Sequence, residues 1–223
     1  MLEPLVVDVL RNHVEGDFLE AGVLRGGVSI CLTAMLWSAG ELGTRTQWVV
    51  DSFQGLPPAS YTRRFAAGFS SERAISLGLE SVLGGKYTSG KLSSALTEVQ
   101  RNFAKHIGEG VAGVRYLPGF FHDTLPGPVR RLALLRADSD LFASTYETLD
   151  RLYATLSVGG WFICDDWKIA QARWAILTFR AQRNITTRIY RSLLPNTVPS
   201  MRNLPVFFTQ DVIAFWRKSA TTG

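Results

Sequence analysis

The chain is poor in the residues that mark exported or sulfur-ligated metal proteins. It carries 2 cysteines and 3 histidines in 223 residues, too few for a disulfide framework or a cysteine zinc site. Cys31 and Cys164 both stand in apolar stretches, where free thiols packed in a reducing cytoplasm are expected. His13, His106 and His122 show no metal-ligand spacing; the first two read as surface residues, and His122, after "LPGFF", is the one a strand end could turn toward a cleft. No run of about 18 apolar residues is present, so no membrane span is expected. The start, "MLEPLVVDVLRNHVEGD", sets acids among Val6, Val7, Leu10 and Val14, which reads as an amphipathic helix and not a signal peptide. Basic residues are scattered and not interleaved with aromatics. The formal charge of +5 therefore reads as a solvated surface or a field for anionic substrates, not a nucleic-acid site. No Pro/Ser-rich linker divides the chain, and 1–223 is expected to be one soluble, cytoplasmic domain.

What is present alternates. "DFLEAG" (17–22), "QWVVDSF" (47–53), "VRYLPGF" (114–120), "LALLRADS" (132–139) and "WFICDD" (161–166) are apolar runs of strand length. Helical periodicity falls between them, after Gly26, around 94–106, around 144–156 and from about 168 to 182. This alternation predicts an α/β fold, a mostly parallel sheet with helices on both faces, because parallel neighbours need a crossover. "TTRIYRS" (186–192) and "DVIAFWRK" (211–218) read as an antiparallel C-terminal hairpin on the sheet edge. The stretch 56–93, rich in Gly, Ser and Tyr, reads as a lid or binding insertion. Trp37, Trp48 and Trp216 are expected in the core, and Trp167 in the wall of a site.

Ligands of open α/β sheets gather at the carboxyl ends of the strands. Here those ends bear Glu20 and Gly22, Asp51, Gly119, the pair Asp138/Asp140 and the pair Asp165/Asp166. "LEAGVLRGG" leads from strand to helix through Gly22, Gly26 and Gly27, which lets a ligand approach the backbone, but it lacks the GxGxxG dinucleotide pattern. Asp51 stands where nucleoside-binding α/β domains place an acid for ribose hydroxyls. Asp138 and Asp165 are one βαβ unit apart, so their carboxylates can meet, and three oxygen ligands with open positions suit a hard cation such as Mg2+. The plainer alternatives are helix N-caps for Asp140 and Asp166 and surface ion pairs with Arg136 or Lys168. A phosphatase with paired acids fits less well, because three strands precede the first pair.

"GDFLEAGVLRGG", "VVDSFQGLPP", "RYLPGFFHDTLP", "LLRADSDLFASTYETLDRLYATLSVGGWFICDDW" and "AFWRK" together resemble the macrocin O-methyltransferase family, metal-dependent enzymes that methylate sugar hydroxyls of natural products. The resemblance runs from about residue 14 to residue 218. It implies a Rossmann-like class I methyltransferase fold with a seven-stranded sheet, S-adenosylmethionine and Mg2+ as cofactors, and a small hydroxyl-bearing acceptor. It implies Glu20, Gly22, Arg25, Gly26 and Gly27 around the methionine part, Asp51 with Ser52 and Phe53 at the ribose, and Gly119 and Phe120 beside the adenine. Asp138, Asp165 and Asp166 match the metal positions, with Asp138 or Asp140 as the base. Where the family has "LDGDLYEST", this chain has Ala137, Ser139, Phe142 and Ala143, and its stretch 59–93 departs from the family's lid. The acceptor is therefore left open between a sugar, another alcohol and a phenol. A cofactor-binding scaffold without turnover and a homodimer are also left open.

Overall fold

The structure, a computed structural model, describes residues 2–58, 90–193 and 212–220. Elements are numbered in chain order among these residues: α1 (Leu2–Arg11), β1 (Asp17–Ala21), α2 (Gly27–Ser38), β2 (Gln47–Asp51), α3 (Leu96–His106), β3 (Val114–Pro118), α4 (Phe121–Thr124), β4 (Leu132–Ala137), α5 (Phe142–Leu152), β5 (Leu156–Cys164), α6 (Ala170–Gln182), β6 (Tyr190–Leu193) and β7 (Val212–Arg217). The seven strands form one sheet in the order β3-β2-β1-β4-β5-β7-β6. Strands β1 to β5 run parallel; β7 is antiparallel to both β5 and β6. The expected hairpin is present, with β7 inside the sheet and β6 at its edge. The expected insertion over 56–93 lies outside the described residues except at its ends. There Leu56 N–H donates to Lys91 O at 2.9 Å and Gly90 N–H to Leu56 O at 3.1 Å, so the two ends are tied together.

The period-2 alternation of the strands sorts the core onto two faces. Leu19, Leu135 and Phe162 face a cluster with Leu149 and Leu152 of α5 and Ile176 and Phe179 of α6. Phe18, Leu134 and Ile163 face the other way, against Leu5, Val6 and Val9 of α1 and Leu32 and Leu36 of α2. A third cluster seats α3, through Val99 and Phe103, on Val23, Val49 and Phe53. Each such burial contributes roughly 1.5–3 kcal/mol of transfer free energy, which fixes the strand ends that carry the polar residues.

Several core expectations need correction. The buried stripe of α1 is Leu5, Val6 and Val9, with Val7 and Leu10 only partly covered. Helix α2 is apolar nearly all round, and its sheet-facing positions are Ser29, Leu32, Thr33 and Leu36. That rotation leaves Cys31 exposed and Trp37 58% exposed. Cys164 is buried, and both cysteines are free thiols. Trp48 and Trp216 are core as expected. Among the described residues no helix is long and apolar enough to cross a membrane.

Candidate active site

At the carboxyl edge of the sheet, the ends of β1, β2 and β4 surround a cleft of about 720 Å3, open to solvent. Gly22, Asp51, Ser52 and Phe120 line it on one side and Asp138, Ser139 and Asp140 on the other. Gly22 holds the two sides together. Its N–H donates to Val50 O, and Asp138 N–H donates to Ala21 O. A Cβ on Gly22, whose φ is +86°, would lie 1.7 Å from the carbonyl oxygen of Asp138, so only glycine allows the β1 and β4 ends to meet here.

Asp51 closes the glycine-rich loop onto β2. Its Oδ2 accepts from Val23 N at 2.8 Å and Leu24 N at 3.3 Å, and its Oδ1 accepts from Phe53 N at 2.8 Å. A carboxylate offers about four lone-pair sites, so Asp51 can keep these amides and still accept from a ligand hydroxyl. Gly26, at φ +83°, caps the start of α2, where an added Cβ would meet Val99. Leu24, Phe53, Leu92 and Asp140 all have positive φ, a conformation that non-glycine residues reach only when their surroundings hold them there. Three of the four line the cleft.

The acids on the other side surround Arg136, which is 3% exposed. Arg136 is in register with Glu20 of β1, and its Nη1 donates to Glu20 Oε1. Its Nη2 donates to Asp138 Oδ2 at 3.0 Å and to Asp165 Oδ2. Ser29 of α2 donates its hydroxyl to Glu20 Oε2. Burial still pushes the Glu20 carboxyl up to about 7 despite the Arg136 charge. The opposing carboxylates in turn raise the Arg136 guanidinium above its ordinary value against the pull of burial. Asp166 Oδ2 accepts from Ser139 N at 2.8 Å and Asp140 N at 2.9 Å. Burial, reinforced by Asp138 and Asp140, raises Asp166 to about 8, and burial with Asp138 raises Asp140 to about 6. Three carboxylates, Glu20, Asp138 and Asp165, pair with one guanidinium, and Asp140 and Asp166 crowd Asp138 beside them.

Helices α5 and α6 begin after Leu141 and Ile169 without side-chain caps, so Asp140 and Asp166 do not cap them. The expected ion pairing with Arg136 is present, from a buried guanidinium to the partly exposed Asp138 and Asp165. Of the expected cofactor residues, Gly22, Asp51, Ser52 and Phe120 line the cleft. Glu20 is buried beneath it, Arg25 points outward to Glu98 at 3.5 Å, and Phe53 is packed under α3. Gly26, Gly27 and Gly119 shape the backbone around the cleft without lining it, and Asp165 and Asp166 stand behind Asp138 and Ser139. Trp167 is in the main core, not in the cleft wall, and His122 stacks on Phe120 at 6.3 Å outside the lining. The sequence reading missed Leu24, Leu56, Pro57 and Leu92 at the rim and Ser144 deeper in. Their only sequence signal is that they flank a strand end or the insertion.

Among the described residues no three acidic, histidine or cysteine side chains are already arranged as a cation cage. The donor set nevertheless fits a hard cation. All its members are carboxylates, and burial together with the neighbouring acids raises Asp166, as it raises Asp140 beside it.

The chain is similar to known proteins. The family model of macrocin O-methyltransferases matches residues 1–192. Demethyldecarbamoylnovobiocin O-methyltransferase of Streptomyces niveus is 38% identical over 188 residues, 82% of this chain and 65% of that protein. Mycinamicin III 3''-O-methyltransferase of Micromonospora griseorubida is 38% identical over 189 residues, 84% of this chain and 69% of that one. The chain thus spans about two thirds of the length of these relatives. The solved structure of the O-methyltransferase NovP superposes with a TM-score of 0.74 at 32% identity, covering 98% of this chain and 78% of that one. The calicheamicin methyltransferase CalS11, at TM-score 0.63 and 15% identity over 97% of this chain and 76% of its own, shares the fold.

Proposed function

The chain belongs to the macrocin O-methyltransferase family, and from that premise we propose that it transfers a methyl group from S-adenosylmethionine to a hydroxyl of a small molecule, a sugar hydroxyl of a glycosylated natural product first among them. The observation that carries this reading is the two-sided cleft, with glycine, Asp51 and Phe120 on one wall and Asp138 and Asp140 on the other. The same reading makes the chain one catalytic domain, and its two free thiols fit a reducing cytoplasm.

S-adenosylmethionine supplies an electrophilic methyl on a sulfonium. Gly22 and the loop to Gly27 would admit its methionine part, Asp51 and Ser52 would take its ribose, and Phe120 would flank its adenine. Asp138, Asp165 and Asp166 would hold Mg2+. The chemistry such a cation supplies is Lewis acidity, which lowers the pKa of a hydroxyl beside it. An alcohol is a poor nucleophile at neutral pH, so a base must accept its proton as the methyl is attacked. Asp138 and Asp140 both reach the cleft. Asp140, raised to about 6, is close to the pH at which a base is most effective, whereas Asp138 already shares an oxygen with Arg136. Positioning of hydroxyl and sulfonium in line supplies much of the remaining acceleration.

Calorimetry with S-adenosylhomocysteine, followed by methyl-transfer assays on glycosylated, simple-alcohol and phenolic acceptors with and without Mg2+, tests the reading. Cofactor binding with Mg2+-dependent transfer to the glycosylated acceptors is expected. Absence of cofactor binding by the folded chain overturns it, and transfer to phenols alone reassigns the acceptor.

A further inference from the structure

Arg136 sits in β4 with apolar neighbours on either side in sequence and is 3% exposed. Burying a guanidinium is costly unless its donors are matched. Here they are matched from three strands. Because parallel strands in register project partner residues to the same face, Glu20 of β1 meets Arg136 of β4 below the cleft floor. Ser29 of α2 fixes the second oxygen of Glu20. Above, a single nitrogen, Nη2, donates to one oxygen of Asp138 at the end of β4 and one of Asp165 at the end of β5.

We infer that Arg136 is a positioning residue: anchored from below by Glu20, it clamps the Asp138 and Asp165 carboxylates side by side, so that two ligands of one divalent cation are held together before it binds. This rests on the reading of Asp138, Asp165 and Asp166 as a cation site. The need for a clamp follows from the geometry a small cation imposes. Mg2+ holds its oxygens at about 2.0–2.1 Å, which brings ligands close together, while like charges on neighbouring strand ends repel. Each carboxylate has two oxygens, and Arg136 takes one from each. The planar fork matters as well as the charge, because it reaches down to Glu20 and up to both aspartates at once. A lysine ammonium has no such fixed reach in opposite directions.

The test measures Mn2+ binding by electron paramagnetic resonance, S-adenosylhomocysteine binding by calorimetry and thermal unfolding, on the full chain. Arg136→Met alone leaves Glu20 buried and unpaired, so the principal variant is the double substitution Glu20→Gln with Arg136→Met, which removes both charges of the lower pair. Arg136→Lys keeps the charge without the fork, and Asp165→Ala is the ligand control. The inference expects the double variant to bind S-adenosylhomocysteine within about threefold of wild type and Mn2+ at least roughly tenfold more weakly, the range typical of groups that orient metal ligands. Arg136→Lys should fall between. Wild-type Mn2+ affinity in the double variant overturns the inference, as does an equal loss of both ligands, which would mark a merely structural role. Should the double variant not fold, Arg136→Lys decides: weakened Mn2+ with unchanged cofactor affinity supports the clamp, and unchanged Mn2+ affinity overturns it. Failure of the underlying cation reading is distinct, since wild type would then bind no Mn2+ or Asp165→Ala would bind it undiminished.

Discussion

The two walls of the cleft treat their acids in opposite ways. On the β1–β2 side, the Asp51 charge is absorbed by the amides of Val23, Leu24 and Phe53, and the carboxylate serves as a structural knot with spare lone pairs. On the β4–β5 side, Asp166 also accepts two amides, yet it is raised to about 8 because burial and its acidic neighbours outweigh them. One wall is a closed hydrogen-bond circuit suited to a ligand with hydroxyls and a polar chain. The other crowds several carboxylates around Arg136 and raises Asp140 and Asp166, an arrangement suited to a cation and to proton transfer. The same residue type thus serves two chemistries, and local charge density decides which.

The most severe disturbance of this division is Gly22→Ala, which acts on both walls. Its Cβ has no room beside Asp138 O, and a loss of about 3 kcal/mol is expected from strain at a special φ and backbone displacement; urea unfolding measures it, together with loss of cofactor binding. Next, Asp165→Ala should lower Mg2+-dependent turnover by roughly a hundredfold or more while cofactor affinity stays near wild type in calorimetry. Asp51→Ala should do the reverse, weakening S-adenosylhomocysteine by about tenfold, as loss of hydrogen bonds to a charged group implies, with Mn2+ affinity retained. If each variant lost both ligands equally, the walls would not be separable.

The smallest effect concerns Glu147, on α5 one turn beyond Ser144 of the cleft. Its Oε2 is buried without a hydrogen-bond partner, and burial raises its carboxyl to about 7. A carboxyl whose pKa is higher in the folded than in the unfolded chain binds extra protons when folded, so it costs stability as pH rises from about 4.5 to about 7. Glu147→Met should therefore stabilise the protein at pH 8 and not at pH 4.5. After discounting for solvent screening of a partly exposed group, about 1 kcal/mol is expected, or roughly 2–4 °C in melting temperature. Cation affinity should not change, which would separate this acid from the cluster.

Much of this was legible in the sequence because strand ends and glycines announce themselves. Apolar runs stopping at Ala21, Asp51 and Ala137 placed β1, β2 and β4 within two residues, and the acids following them converge as the parallel topology requires. Arg136 was not legible as a hub. A basic residue in an apolar strand signals burial, but its partners depend on the register between β1, β4 and β5, which no local pattern encodes. Helix rotation was illegible for a related reason: α2 is apolar on most sides, so periodicity could not decide that Cys31 and Trp37 face outward. Trp167 misled because it lies in the turn between β5 and α6, where no periodicity tells which way a side chain points; it packs in the core.

The strand order has a further consequence for how the molecule is made. β7 follows both β5 and β6 in the chain, yet it lies between them, pairing with β5 from Trp161 to Cys164 and seating the fully buried Trp216. During synthesis on the ribosome, β5 emerges long before the strand that will cover its flank. Its backbone edge and the ring surface around Phe162 stay exposed through that interval, a template for mispairing with other nascent copies. Folding of this half of the sheet is then a late, non-local event, and the acids at the end of β5 acquire their fixed positions only when it is complete.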